Sequence, residues 1–340
     1  MSRATRLVLG GAGLGAAAVA WAAARSRPEL PDAAPPVPPP GLPEGRLVAV
    51  PGRGELFVRD TGPTEHAPGG APTILLLHGW MFPSDLNWFP SYEPLSALGR
   101  VIALDHRGHG HGIRPSKPFR LADAADDAAA LVRHLGTGPV VAVGYSMGGP
   151  IAQLLAVRHA ELVRGVVLCA TSDTFSQTAR DRALWRTMGA LQLILRLLPR
   201  HTVERLVRAQ ALGRLPMRIT TLLKDDTPPE IVALIPWFLG ELARGTAEDI
   251  AEAGRELGRY DGTGFVGRIT APTVAIVTTE DELVPVDRQR RMASRIPACE
   301  VIELPLDHDA AVSGAHSFVP ALVKAVTTVL DASSPSATGR

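Results

Sequence analysis

From residue 47 onward, short apolar runs bounded by turn residues recur along the chain: Leu47 to Val50, Leu56 to Arg59, Thr73 to Leu77, Val101 to Leu104, Val140 to Val143, Val166 to Ala170, Val274 to Val277 and Val301 to Leu304. Each is the length of a strand, and Ile74-Leu75-Leu76-Leu77 is apolar without alternation, as expected of a strand buried on both faces. Between the later runs lie helix-length stretches, including Leu121 to Leu135, with Asp123, Asp126 and Asp127 in its first half, and Pro150 to His159, and a final helix is expected over Phe318 to Leu330. Strands alternating with helices predict an α/β fold, a mostly parallel eight-stranded sheet with helices on both faces.

Between Thr171 and Thr270 no convincing strand appears, while Leu184 to Leu198, Val203 to Leu212 and Ile231 to Leu242 read as apolar helices. Trp185, Leu191, Leu195, Ile235, Trp237 and Phe238 are more apolar surface than a small helical unit can bury internally, so the segment is expected to cover part of the sheet as an inserted lid. The expected organisation is an apolar leader over residues 1–27, a proline-rich linker over 28–45, a core formed by 46–171 and 271–332, the lid over 172–270, and a disordered tail over 333–340.

Leu7 to Ala24 carries no charge and is flanked by Arg3, Arg6, Arg25 and Arg27. Its length reads as a membrane anchor, its Ala-rich end as a secretory signal, and a soluble N-terminus is the plainer alternative. The expectation is a membrane-anchored or exported protein, associated with a membrane through residues 7–24. The prolines that follow can neither pair in a sheet nor continue a helix. Basic and acidic residues nearly cancel, 35 against 34, which argues against a nucleic-acid partner. The two cysteines, Cys169 and Cys299, are too few for a disulfide framework or a structural zinc site, and both read as buried reduced thiols.

The chemistry-bearing segment is Val140-Val141-Ala142-Val143-Gly144-Tyr145-Ser146-Met147-Gly148-Gly149-Pro150, a G-x-S-x-G between a strand and a helix-compatible stretch. A serine on so tight a turn needs Gly144 and Gly148 where side chains would collide, and its hydroxyl is presented beside the amides that open the helix.

At these residues the chain resembles the α/β-hydrolase superfamily. Leu75-Leu76-Leu77-His78-Gly79-Trp80 is similar to that family's H-G-x turn, and Asp105-His106-Arg107-Gly108-His109-Gly110 to its D-x-R-G-x-G turn. The resemblance implies Ser146 as nucleophile and the Trp80 and Met147 amides as oxyanion donors. It also implies the order serine, acid, histidine. Asp281, ahead of Val284-Pro285, matches the acid position, with Glu280 and Glu282 read as solvated loop charges and Asp173 as a second place where relatives put the acid. A glycine usual near Thr278 is missing. His308 follows the last strand where relatives carry G-H, although Asp307 replaces that glycine; His316 is the rival. His106, His109 and His111 crowd one loop, but no metal-binding motif accompanies them, so neither a metal nor a cofactor is expected.

These readings point to a serine hydrolase acting on a small carboxylic ester with an apolar acyl or alcohol group. Trp185, Trp237 and Phe238 are the lid residues expected to shape its pocket. A carbon–carbon hydrolase, a haloperoxidase-like enzyme or an acyltransferase would share the fold and the triad. From a different class, a membrane-tethered ligand-binding protein would keep the pocket without turnover. The specific substrate and the oligomeric state are not specified by these motifs.

Overall fold

The computed structural model describes residues 37–63, 71–114, 117–179, 181–183, 185–187, 233–242 and 244–333. Each apolar run forms a strand: β1 Gly45–Val50, β2 Gly54–Asp60, β3 Thr73–Leu77, β4 Arg100–Leu104, β5 Val140–Tyr145, β6 Val163–Cys169, β7 Thr273–Thr278 and β8 Glu300–Leu304. They form one eight-stranded sheet in the order β1-β2-β4-β3-β5-β6-β7-β8. β1 and β2 are antiparallel to each other, and β2 is antiparallel to β4. All remaining pairs are parallel, with Leu77 in register with Leu104 on one side and with Gly144 on the other.

Strand period decides which side chains meet which helices. Leu75, Leu77, Val140 and Ala142 point to one face, where they pack with α3 (Leu121–Leu135) and α4 (Gly148–Arg158). Their neighbours Ile74, Leu76, Val141, Val143 and Tyr145 point to the other, against Trp88, Tyr92 and Phe318 of α1 (Ser84–Trp88), α2 (Tyr92–Ser96) and α8 (Ala315–Ser333). β3 is buried along its whole length because both of its faces are covered.

Between β6 and β7, the described residues contain α5 (Ile235–Leu242) and α6 (Ala247–Leu257). Thr246 caps α6, its hydroxyl accepting the Asp249 N–H at 3.1 Å. The α7 helix (Val286–Arg295) follows β7. The leader, the linker up to residue 36, Leu191, Leu195, nearly all of the Leu184 to Leu198 helix, the Val203 to Leu212 helix and residues 334–340 lie outside the described residues.

Two expectations are corrected. The membrane-anchored or exported localisation does not stand: among the described residues no helix is long and apolar enough to cross a membrane. The Leu7 to Ala24 stretch that suggested it lies outside them. Cys169 is buried as expected, whereas Cys299, next to the edge strand β8, is only half-buried.

One buried carboxylate ties the sheet to α1. Asp105, just past β4, accepts the Ser84 N–H at 2.7 Å, the Ser84 hydroxyl at 2.6 Å and the His111 N–H at 2.8 Å. Burial pushes its pKa up, but the His111 side chain, 3.4 Å away through Nδ1, then His78 and the Ser84 donors together outweigh burial and hold it at about 2. An unfolded aspartate titrates near ~3.9, so the folded value is depressed: the stabilisation is complete above the unfolded pKa and is lost as pH falls through the folded one. Asp105→Asn is therefore expected to cost about 2 kcal/mol at neutral pH, read by denaturant unfolding. The gap from wild type should narrow between about pH 4 and pH 2; a gap that stayed constant over that range would contradict the ionised role of Asp105.

Candidate active site

β5 runs directly into α4, and Ser146 lies between them with φ +50, a left-handed conformation that costs a non-glycine residue about 1 kcal/mol or more. Backbone contacts hold it there. The Ser146 N–H donates to Cys169 O at 2.9 Å, and its carbonyl accepts the Thr171 hydroxyl at 2.6 Å and the Gly149 N–H at 2.9 Å. A Cβ on Gly144 would strike the Gly148 carbonyl, and one on Gly148 would strike the carbonyl oxygens of Leu77 and His78. Both glycines of the motif are thus required by backbone-to-backbone approach.

His308, the residue expected as base, lies in the loop after β8. His308 Nε2 is 2.9 Å from Ser146 Oγ, and Nδ1 is 2.8 Å from Asp281 Oδ2. A carboxylate only accepts, so Nδ1–H donates to Asp281, and in the neutral ring Nε2 is left to accept the serine proton. Asp281 sits in the loop after β7, buried. Its Oδ1 accepts the N–H groups of Leu283 at 2.9 Å and Val284 at 2.7 Å, and its Oδ2 accepts the Thr278 hydroxyl at 2.8 Å. Gln289 of α7 holds Thr278 in turn: its amide nitrogen donates to Thr278 Oγ1 at 2.9 Å and to Val284 O at 2.8 Å, and its oxygen accepts the Thr278 N–H at 3.0 Å.

The rival residues lie elsewhere. The Asp173 carboxylate is fully buried and accepts from Arg295 at 2.6 Å. His316 is exposed on the first turn of α8, and Glu280 and Glu282 are exposed on the acid loop. His78, His106 and His109 are buried with rings packed against one another, 4.1 Å between the centroids of His78 and His106 and 5.4 Å between those of His78 and His109. Burial pulls the His106 pKa well below the ordinary histidine value and that of His109 to about 3, leaving these two uncharged. His78 Nε2 accepts the His106 N–H at 2.9 Å, which joins the H-G-x turn to the D-x-R-G-x-G turn. The cluster therefore acts in packing.

Gly79 lies against Ser146: its own Cβ, if present, would be 3.3 Å from Ser146 Cβ. Its N–H donates to Asn87 Oδ1 at 2.7 Å. The Trp80 indole donates to Ile250 O of α6 at 2.7 Å and meets the Trp185 ring edge-on at 5.7 Å. Trp237 and Phe238 of α5 are buried with Leu86, against Phe82, Phe89 and Val312. The expected lid aromatics thus pack in two places, Trp185 on Trp80 and the α5 pair on α1.

With this geometry in view, the comparisons with known proteins become specific. Residues 72–314 match the alpha/beta hydrolase fold family. This chain belongs to that family. A pimeloyl-[acyl-carrier protein] methyl ester esterase of Chromobacterium violaceum is 28% identical over 268 residues, covering 76% of this chain and 96% of that protein. A non-heme haloperoxidase of Rhodococcus erythropolis is 36% identical over 127 residues, covering 36% of this chain and 43% of that protein. Among solved structures, a hydrolase from Pseudomonas aeruginosa PA01 superposes with a TM-score of 0.68 at 22% identity, covering 84% of this chain and 98% of that one, a likeness of fold. Relatives named as hydrolases and esterases make this member of the family a hydrolase.

Thr278 and Gln289 escaped the sequence reading. The available signal was the missing glycine near Thr278, together with a glutamine four residues after Pro285 in a helix otherwise rich in charge. The elbow itself generates a test. Gly148→Ala should cost about 3 kcal/mol of unfolding free energy or prevent soluble expression, because backbone carbonyls cannot yield. Gly264→Ala, with nothing within 4 Å of its Cβ position, should change stability by about 0.5 kcal/mol or less. Equal melting temperatures for the two variants would contradict the close approach at Gly148.

Proposed function

We propose that this hydrolase cleaves carboxylic esters with an apolar acyl or alcohol group, using Ser146 as nucleophile, His308 as base and Asp281 as the acid that orients it. The observation that carries the reading is the imidazole of His308 bridging Ser146 Oγ at 2.9 Å and Asp281 Oδ2 at 2.8 Å. A serine hydroxyl is a weak nucleophile, and a base in hydrogen-bond contact removes its proton as the oxygen adds to the ester carbonyl. The N–H groups of Trp80 and Met147 take the developing oxyanion. His308 then returns the proton to the leaving alcohol, and water cleaves the acyl-enzyme by the same route. Asp281 favours the imidazolium that forms in both halves of the reaction.

Apolarity of the substrate is supported by side chains that follow the H-G-x turn and His308. Phe82 follows the H-G-x turn by two residues and Val312 follows the base by four, and both pack with Phe89, Trp237 and Phe238 into one cluster. We read residues 172–270 as a lid over Ser146, supported by the hydrogen bond from Trp80 to Ile250 and the contact of Trp80 with Trp185. The C. violaceum relative, named for hydrolysing a methyl ester, favours a carboxylic ester over the other chemistries this fold hosts.

A panel of p-nitrophenyl esters of increasing chain length tests the proposal. Ser146→Ala should lower kcat/KM by about 10⁴-fold or more while the protein stays folded, and His308→Ala should be nearly as damaging. His316→Ala should stay within about twofold of wild type. Retained turnover in purified Ser146→Ala would end the nucleophile assignment, and the opposite ranking of the histidines would move the base to His316. Trp185→Ala or Trp237→Ala should change the ratio of kcat/KM for long against short esters. Unchanged ratios in both, with native circular dichroism, would assign these tryptophans to packing alone.

A further inference from the structure

We propose that Tyr145 and Asp307 are positioning residues that hold the backbone of His308 from its two sides, the tyrosine hydroxyl on its carbonyl and the aspartate carboxylate on its N–H. The proposal rests on the reading of His308 as the base. Its starting point is the departure at Asp307, where the resembling family carries a glycine before the histidine. Asp307 Oδ1 accepts the His308 N–H at 2.7 Å and the Glu282 N–H at 3.3 Å. Glu282 directly follows Asp281, so one carboxylate oxygen joins the loop of the base to the loop of the acid.

The other side is held from the nucleophile strand. Tyr145, immediately before Ser146, donates its hydroxyl to His308 O at 2.6 Å and accepts the Ala311 N–H at 3.4 Å. Its ring is fixed edge-on between Trp88, 6.0 Å away, and Phe318, 5.6 Å away. Burial first, and then the charge of Asp281, raises the phenol pKa well above its ordinary value of 10.0, so the hydroxyl remains a donor at any pH at which an ester hydrolase works. The peptide groups flanking the base are thereby tied to the two loops whose side chains its imidazole must reach. An imidazole displaced by a fraction of an ångström loses alignment with Ser146 Oγ, and misplacements of about 1 Å cost up to about 10²-fold in rate.

Glycine in this position would leave the backbone of the base free to sample other conformations. Here the acceptor oxygen matters more than the negative charge, which separates two substitutions: Asp307→Ala removes the acceptor, and Asp307→Asn keeps Oδ1 while removing the charge. Tyr145→Phe removes only the hydroxyl and preserves the ring between Trp88 and Phe318.

The experiment measures kcat, KM and thermal melting for wild type and these variants on the most active p-nitrophenyl ester. Tyr145→Phe and Asp307→Ala are each expected to lower kcat about tenfold with KM within about twofold of wild type, in protein that is folded at the assay temperature. Asp307→Asn is expected to recover kcat to within about twofold of wild type. The proposal is overturned if Tyr145→Phe and Asp307→Ala keep wild-type kcat, if Asp307→Asn is as slow as Asp307→Ala, or if the loss merely follows the fraction unfolded. Wild type with no ester turnover would sink the ester-hydrolase reading and this proposal together, whereas an active wild type with silent variants would sink this proposal alone.

Discussion

A hydroxyl displayed at the carboxyl edge of a parallel sheet, on a backbone wedged between a strand and a helix, needs a turn with almost no side-chain volume. At Ser146 that requirement is met by left-handed backbone and by two glycines that abut neighbouring carbonyls. Because β5 lies between β3 and β6, the turn after it is reached by the loops that follow both neighbours. The loop after β3 brings Gly79 against Ser146, and the end of β6 supplies Cys169 O and the Thr171 hydroxyl that hold the serine backbone. The next strands outward, β7 and β8, lead into the loops of Asp281 and His308. Strand order thus converts residues spread over much of the sequence into neighbours at one edge.

Charge is handled in the same economical way. Two carboxylates organise loops at this end of the sheet, each buried among N–H and O–H donors. Asp105 joins the turn after β4 to α1, and Asp281 joins its own loop to Thr278 and His308. Burial alone would favour the neutral acid at Asp105, and the clustered N–H and O–H donors oppose it. An Asp281 held by Leu283, Val284 and Thr278 presents its remaining lone pair to His308 in one direction. The His308 imidazole meets Asp281 Oδ2 through Nδ1 at 2.8 Å.

Strands were the most legible feature because their apolar runs are continuous and bounded by turn residues. Boundaries moved by a few residues where paired backbone continues past the apolar side chains, as at β6, which begins at Val163. The helix α7 was illegible for the opposite reason: Val286-Asp287-Arg288-Gln289-Arg290-Arg291-Met292-Ala293-Ser294-Arg295 buries only Gln289, Met292 and Ala293, too few apolar positions to show a period. The short helices α1 and α2 lacked length for any periodicity. At the site, Ser146, Asp281 and His308 could be picked out because motif and chain order constrain them, and hydrogen bonds join these three. Thr278, Gln289 and the hydroxyl of Tyr145 could not, since their partners come from other elements and polar contacts across loops leave no pattern along a chain.

The account turns on whether Ser146 is activated by its contact with His308. The most direct measurement is reaction with a fluorophosphonate followed by intact-mass and peptide mapping, in wild type and in His308→Ala. The arrangement predicts one phosphonyl group per wild-type chain, located on Ser146, and labelling slowed by orders of magnitude without the imidazole. A label on another residue, or equal labelling rates in the two proteins, would contradict it.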